Sequence, residues 1–584
     1  MTSRPPSGAR PGLRAGLLRM GTRVGAVRPR ARDLRAMLRS PRHDVVAGVT
    51  VGVVALPLAL AFGIASGLGA AAGLVTAVVA GTVAALFGGS HVQVSGPTGA
   101  MTVVLAPIVA QHGADGVLVV GLMAGVLLVA MGLAGAGRYV RLIPLPVIEG
   151  FTLGIAALIA LQQVPLALGQ RATHEHVVVA AATAVRDWAG SPRPAPLALA
   201  VAVGAAMLLG ARLRPSVPVA LLAVVASAVA VRVTTLPVPT IGALPDRLFR
   251  LSLPAVSWSD LRVLAAPALA VAVLAALESL LSATVADAMS VSSRHDPDRE
   301  LVGQGLANLA SPLLGGIPAT AAIARTAVNV RTGARSRLAA VVHSLVLLLV
   351  VLLLADAVSW IPLAALAGVL VGTAVRMVEV SALRALTRAS RSDAFVLVLT
   401  FVATVVLDLA TAVVLGIVTA GGLALRQLAR TTTLHTEGVP DPEDDTDHGS
   451  EEAALLQQHV VAFRLEGPLF FGGAHAALLE LTEISDVRVV ILRMSHVTTL
   501  DTTGAAVLAD TIRSLEARGV TVLLSGLPAR FVTRLRTSGI HQHLEALHHL
   551  FATTPEAIEH ARRHVARDAS LRSAGPVTSV QDRA

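Results

Sequence analysis

Ser95-Gly96-Pro97-Thr98-Gly99-Ala100 and Gly316-Ile317-Pro318-Ala319-Thr320-Ala321 stand 221 positions apart, share a Gly/Pro/Thr/Ala composition, and each open an apolar run deep inside a membrane-like sequence. A proline just inside a helix start, followed by small residues, leaves backbone N–H groups that the helix does not pair and that carry the positive end of its dipole. Two such ends can hold an anion between them. Interrupted helices at corresponding positions of two sequence halves point to the midplane site of a carrier built from inverted repeats. Half-length helices are therefore predicted at about 97 to 110 and 319 to 332. Ahead of the first, His91-Val92-Gln93-Val94-Ser95 alternates like a short strand. Extended backbone at membrane depth is tolerated only where it is buried in protein or lines a cavity.

The rest of the chain supports that setting. Of 584 residues 54% are hydrophobic and 14% charged, with a mean hydropathy of +0.71, whereas soluble domains carry roughly 25% charged residues. The fold class is an α-helical membrane protein. Cysteine is absent, which excludes a disulfide framework and a thiolate metal site. All basic side chains are arginine, and residues 1–43 carry eleven of them, from Arg4 to Arg42, against the single acid Asp33. No compact apolar stretch with a small-residue cleavage site follows, so this is not read as a cleaved signal. Basic flanks stay on the cytoplasmic side, where they meet anionic headgroups of the lipid bilayer. The lack of aromatics there argues against nucleic acid as a partner.

From 44 to 430 apolar runs near twenty residues recur, long enough to cross a hydrocarbon core of roughly 30 Å. Spans are predicted near 46–65, 70–88, 115–135, 143–163, 195–213, 216–233, 262–290, 299–314, 337–355, 362–380, 393–410 and 411–430. The two half-helices bring the count to fourteen, which returns the chain to its starting side and puts both termini in the cytoplasm. Glycines such as Gly48, Gly52, Gly63 and Gly67 let helix backbones approach closely.

Within this apolar region ionisable groups stand out. Glu278, in Ala275-Ala276-Leu277-Glu278-Ser279-Leu280-Leu281-Ser282, interrupts a near-continuous apolar helix. A carboxyl there costs roughly 2.5–3.5 kcal/mol on insertion scales unless it faces a cavity or a partner. It is the candidate carrier of a coupling ion, and Ser282, one turn on, offers a hydroxyl on the same face. Arg325, five residues after Thr320, is predicted past the first turn of the second half-helix, where its guanidinium can clamp an oxyanion through two parallel bonds. Its structural alternative is to neutralise Glu278. Asp287, Arg294, His295, Glu149 and Asp408 fall near predicted helix ends, where charge is ordinary.

After 430 the pattern turns soluble. Acids concentrate between Glu437 and Glu452 among Pro, Gly and Ser, as in a solvated linker. Beyond it His459 to Leu465, Val487 to Leu492 and Val520 to Leu524 read as strands and Thr502 to Arg518 as a helix, giving a small α/β domain of mixed sheet. Leu500-Asp501-Thr502-Thr503-Gly504 opens that helix. Capping explains Asp501, while phosphate on Thr502 or Thr503 would act as a regulatory switch.

Together these stretches resemble the SulP family of anion transporters. The resemblance is carried by Asp44-Val45-Val46-Ala47-Gly48, by Ala55 to Gly63, by Ser95 to Thr102 and by Leu301-Val302-Gly303-Gln304-Gly305-Leu306-Ala307-Asn308. The C-terminal domain resembles a STAS domain, whose Asp-Ser-Ser-Gly loop is similar to Asp501-Thr502-Thr503-Gly504. The resemblance implies two inverted seven-span repeats divided into core and gate domains, a homodimer, and alternating access. It implies five parts: an Arg-rich cytoplasmic segment (1–43), a transmembrane anion-transport domain (44–430), an acidic linker (431–457), a STAS domain (458–560) and a disordered tail (561–584). The implied substrate residues are Phe62, Thr98, Gly99, Ala100, Ala319, Thr320, Ala321 and Arg325, with Glu278, Ser282 and Thr98 at the coupling ion. A Glu paired with an Arg is similar to the proton-coupled sulfate and dicarboxylate branches. The first span and the Gly-Pro-Thr-Gly motif resemble the sodium-coupled bicarbonate branch. The expectation is a symporter of sulfate or a small dicarboxylate with a co-transported proton, in the cytoplasmic membrane of a bacterium, with no enzyme activity, metal or other cofactor. A sodium-dependent bicarbonate symporter is one alternative, and an anion channel or voltage-responsive anion-binding protein another. A cytoplasmic protein partner is expected for the STAS domain.

Overall fold

The computed structural model describes residues 31–170, 176–213, 217–245, 247–254, 258–290, 294–407, 409–429, 433–437, 459–470 and 487–573. They fall into two compact units, Met1–Val418 and Thr419–Ala584.

The first unit is helical. After α1 (Ala31–Met37), α2 (Pro41–Ala65) begins with Pro41 at its first turn, and α3 (Ala70–Phe87) follows a two-glycine turn. The two-residue strand β1 (Ser95–Gly96) precedes α4 (Gly99–Ala134). Gly113, with φ of 64°, breaks α4 in two at a backbone conformation that L side chains resist. Next come α5 (Leu145–Ala167), α6 (Val177–Gly190), α7 (Pro194–Leu213), α8 (Val219–Thr234), α9 (Trp258–Met289) and α10 (Pro297–Leu313). Strand β2 (Thr320–Ala321) leads into α11 (Ile323–Arg331), followed by α12 (Leu338–Ser359), α13 (Leu363–Met377), α14 (Val380–Ala389), α15 (Arg391–Val406) and α16 (Leu409–Ala429).

A helix lies over each of the predicted spans and half-helices. By length and apolarity, eight segments among the described residues suffice to cross a membrane, with Pro194–Gly210 and Val219–Thr234 as shorter apolar helices. That falls short of fourteen because α4 carries two predicted segments in one helix, the apolar stretches of α7 and α8 are short, and α15, α10 and α11 have only 16, 17 and nine residues. Leu352, Leu353, Val406 and Val414 stand exposed, as lipid-facing side chains do. The sequence had left α6 and α14 as connections. Packing makes two groups: α2, α3, α4, α9, α10 and α12 against one another, and α5 and α7 against α13 with α15 against α5.

Both helix breaks differ from expectation in the same way. The first half-helix begins at Gly99 and the second at Ile323, so Pro97 and Pro318 lie ahead of the helices rather than inside them. The physical cause is pairing: Ser95 stands opposite Ala321 and Gly96 opposite Thr320 in an antiparallel ladder, extended by a bond from Ala322 N to Val94 O of 3.0 Å. Residues before a proline are also pushed toward extended backbone.

Two carboxylates tie chain segments to this group. Asp44, fully buried in the first turn of α2, accepts from Arg335 N (2.7 Å), Ser336 N (3.0 Å) and Ser336 Oγ (2.6 Å), just ahead of α12. Asp33 Oδ2 on α1 forms an ion pair with Arg299 Nη2 at 2.9 Å, with Arg337 Nε 3.8 Å away. Burial alone would raise the Asp33 carboxyl, but the bond from Arg299 and the charges of Arg337 and Arg299 outweigh it and hold the group below its ordinary value.

The second unit is a six-stranded sheet of β3 (Thr433–Glu437), β4 (Val460–Leu469), β5 (Val489–Arg493), β6 (Val497–Leu500), β7 (Thr521–Ser525) and β8 (Leu550–Phe551). Its order is β3-β4-β5-β7-β8 with β6 beside β4, and only the β3–β4 pair is antiparallel. Helices α17 (Thr502–Ala517), α18 (Ala529–Thr537), α19 (Ile540–Ala546) and α20 (Thr554–Ser573) complete it. Alternation along the strands feeds two cores. Phe463, Leu465, Val490, Leu492, Val522 and Leu524 meet α17, α18 and α19, while Val460, Ala462, Val489, Ile491 and Leu523 meet Ala557, Ala561 and Val565 of α20.

Two boundaries move in consequence. Residues 431–457, predicted as linker, contain β3, whose register runs from Thr433 opposite Glu466 to Glu437 opposite Ala462; residues 438–457 lie outside the described residues. The segment 561–584, predicted as a disordered tail, is helical to Ser573, because an apolar stripe at i, i+4 and i+8 seats α20 on the sheet; 574–584 lie outside the described residues. Residues 1–30 lie outside them too.

Asp44→Ala strands three donors and is expected to cost about 2–4 kcal/mol, read as a lowered unfolding temperature in detergent; an unchanged midpoint refutes the cap. Since the folded-state value of Asp33 lies below its unfolded one, its contribution is complete above the unfolded carboxylate range and is lost as pH falls through the lowered value. Wild type and Asp33→Asn should therefore differ in stability at neutral pH and converge in strong acid, as followed by thermal melts across pH.

Candidate functional site

The site is built where the two breaks meet. Thr98 has extended backbone and caps α4, its hydroxyl oxygen accepting from Met101 N at 3.4 Å while its hydrogen is donated to Glu278 Oε2 at 3.0 Å. One threonine thus joins the first half-helix to the carboxyl of α9. Gly99 and Ala100 are the first two residues of α4, whose amides the helix itself leaves unpaired. A side chain at Gly99 would strike Ile159 and come within 3.2 Å of the Phe62 ring, which places buried Phe62 against this helix start.

Arg325 reaches the same place from the other side. It lies in the first turn of α11, not past it, because α11 begins at Ile323. The side chain is 2% exposed, Nη2 donates to Pro97 O at 2.7 Å, and Nη1 has no partner. Its bond goes to the Pro97 carbonyl and not to the Glu278 carboxylate. A Cβ on Gly96 would stand 2.7 Å from Nη1, so a larger residue there would displace the guanidinium. The first turn of α11 has no side-chain cap at Ala322, and Ile323 and Ala324 are exposed.

Other predicted residues are engaged differently. Ala319 gives its N–H to Asn308 Oδ1 (2.9 Å) and its carbonyl to Asn308 Nδ2 (2.8 Å), and Ala321 N donates to Ser279 Oγ at 3.2 Å. Thr320 pairs with Gly96 in the ladder, and its hydroxyl meets Ser279 Oγ at 3.0 Å. All three are buried and their polar groups are consumed inside the protein. Ser282 donates to Thr326 Oγ1 at 3.1 Å, so it fastens α9 to α11 and does not join Thr98 on Glu278. Asp501 caps α17 by accepting from Gly504 N at 2.6 Å, and Thr502 and Thr503 are exposed on its first turn. Asp287 pairs with His295 at 2.7 Å, and Asp408 lies outside the described residues.

The sequence reading overlooked the polar face of α10. Glu300 Oε2 accepts from Gly89 N (2.8 Å) and Ser90 N (3.0 Å). Gln304 Nε2 donates to Glu300 Oε1 (2.9 Å) and Ser95 Oγ (2.7 Å), and Asn308 clamps Ala319. Their i, i+4, i+8 spacing inside an apolar run was the available signal. Chemically, two unpaired helix starts, a buried guanidinium with one open arm and a carboxyl joined to the first start through Thr98 can bind an oxyanion and respond to a cation.

The Sulfate permease family model matches residues 42–400 and the STAS domain model residues 453–557. A putative sulfate transporter of Bacillus subtilis, YvdB, is 37% identical over 80% of this chain and 87% of its own. The bicarbonate transporter BicA of Synechocystis is 32% identical over 77% of this chain and 82% of its own. Among solved structures, the transmembrane domain of a cyanobacterial BicA superposes with a TM-score of 0.60 at 34% identity, covering 64% of this chain and 98% of that one. SLC26A9 superposes with a TM-score of 0.76 at 17% identity, covering 98% and 99%, a likeness of fold.

Gly96→Ala, which pushes the guanidinium off Pro97 O, and Arg325→Lys, which keeps charge without the fork, are both expected to weaken the binding of whichever of sulfate, succinate and bicarbonate the wild type binds at least about tenfold, or about 1.4 kcal/mol. Calorimetry on purified protein checks this, and unaltered affinity in both variants removes Arg325 from the site.

Proposed function

We infer the activity from one premise: this chain belongs to the sulfate permease family, and is a multi-pass membrane anion transporter and not an enzyme. It is proposed to be a secondary active symporter that carries sulfate or a small dicarboxylate with a proton by alternating access. The observation that carries the reading is Arg325, buried between the two helix starts with one guanidinium arm on Pro97 O and the other unpartnered. The anion would lie against the amides of Gly99 and Ala100, the first turn of α11 and the Phe62 wall. Thr320, Ala319 and Ala321 would hold the shape of the site without touching the anion.

Glu278 carries the proton in this reading. Its protonation removes a negative charge from beside the anion, so each ligand raises the affinity of the other by reciprocal linkage. Thr98 makes that event felt at the first helix start, because its hydroxyl is shared between Glu278 and the cap. Sodium-coupled bicarbonate transport is the second reading. It is favoured by the likeness to BicA and by the two oxygens of the Thr98–Glu278 pair, a beginning of a hard-cation ligand set.

Fourteen crossings as two inverted seven-span repeats are supported by the position of each break, third in its set of seven, and by the antiparallel β1–β2 pair. Both termini and the STAS domain in the cytoplasm accord with the Arg-rich N-terminal flank, and the proposal includes a homodimer in a bacterial cytoplasmic membrane. A cytoplasmic protein that docks on the STAS domain, regulated at Thr502 or Thr503, completes the proposal.

Uptake of labelled sulfate, succinate and bicarbonate into proteoliposomes under imposed proton or sodium gradients tests it. A proton gradient should drive sulfate or succinate accumulation, and Glu278→Gln should abolish accumulation while leaving downhill exchange. Accumulation by Glu278→Gln against the gradient refutes the proton role, and bicarbonate uptake driven by sodium alone transfers the assignment to the second reading.

A further inference from the structure

On α20, His560 and His564 stand one turn apart on one helix face, and His549 enters β8 beside them. The ligating nitrogens of all three lie within 4.8 Å of one another, and His560 Nε2 and His564 Nε2 are 3.2 Å apart. His549 is 8% exposed and its Nδ1 has no hydrogen-bond partner. The rings stand edge to face, His549 at 5.9 Å from His560 and 5.8 Å from His564.

We propose that His549, His560 and His564 form a zinc site on the STAS domain, with three imidazole nitrogens and a fourth position open to water or to a ligand from a partner. Two nitrogens bound to zinc at about 2.0–2.1 Å in tetrahedral geometry stand roughly 3.3 Å apart, which the His560–His564 pair already matches. The third nitrogen lies within 4.8 Å of the other two and closes on them when metal binds. Zinc binds the neutral form of an imidazole. Nearby Arg563 opposes a cation, and three neutral donors with an open position suit zinc and its neighbours in the first transition row more than calcium or magnesium. Bound metal would pin α20 beside the edge strand β8, which the sheet itself holds to β7 by a two-residue ladder.

The test uses the full-length, untagged protein in detergent, stripped with chelator and titrated with zinc and with cobalt as its spectroscopic probe. One metal per chain is expected, with the visible bands of a tetrahedral cobalt centre. His560→Ala and His564→Ala, on a solvent-facing part of α20, should fold and lose at least about a hundredfold in affinity. His564→Cys places a thiol in a chain that has no cysteine, and should add a thiolate-to-cobalt charge-transfer band. Absence of stoichiometric binding, equal affinity in the alanine variants, or a cobalt spectrum in His564→Cys without that band overturns the proposal and leaves the His560–His564 contact as a hydrogen bond.

Discussion

Backbone that leaves the helix at membrane depth must find every hydrogen-bond partner within the protein, because lipid offers none. This chain leaves it twice, and each gap helps to satisfy the other through the β1–β2 pair. What that ladder does not reach is met by side chains: Asn308 on both polar groups of Ala319, Thr76 on Ile317 N at 2.7 Å, Thr326 on Val94 N at 3.1 Å and Asn329 on Val92 O at 2.7 Å. The amides at the start of α4 and α11 have no acceptor within their own helices.

The two buried charges obey the same economy. Arg325 and Glu278 are not fork to fork; each is tied to the segment that enters the first half-helix, Arg325 through Pro97 O and Glu278 through the cap Thr98. Had they paired directly, the pair would have been self-sufficient and the guanidinium closed to a ligand. Separate attachment leaves an open donor and keeps both groups sensitive to what arrives between them.

Much of this was legible in the sequence. The positions of the helices and the doubled Gly/Pro/Thr/Ala stretches followed from the recurrence of apolar runs, and Glu278 and Arg325 stood out by the cost of ionisable groups there, whereas Thr98 was singled out through the family resemblance. The helix starts were misplaced by two to four residues, since nothing local in Thr320-Ala321 announces a strand partner more than two hundred residues away. For that reason Ala319 and Ala321 looked like amide donors although Asn308 and Ser279 consume their N–H groups. In the C-terminal unit the arginines and histidines of α20 masked the alanine stripe, and the surrounding acids masked β3.

The polar face of α10 bears on how the protein comes to exist in a membrane. A helix that presents Glu300, Gln304 and Asn308 in register is a poor candidate for insertion alone, because its preferred surroundings are other parts of this chain and not acyl tails. It would have to leave the translocon in company with α3 and the β1 segment, made some two hundred residues earlier. Damage to this face would then show first as loss of protein from the membrane, a biogenesis defect, in molecules whose anion site is chemically intact.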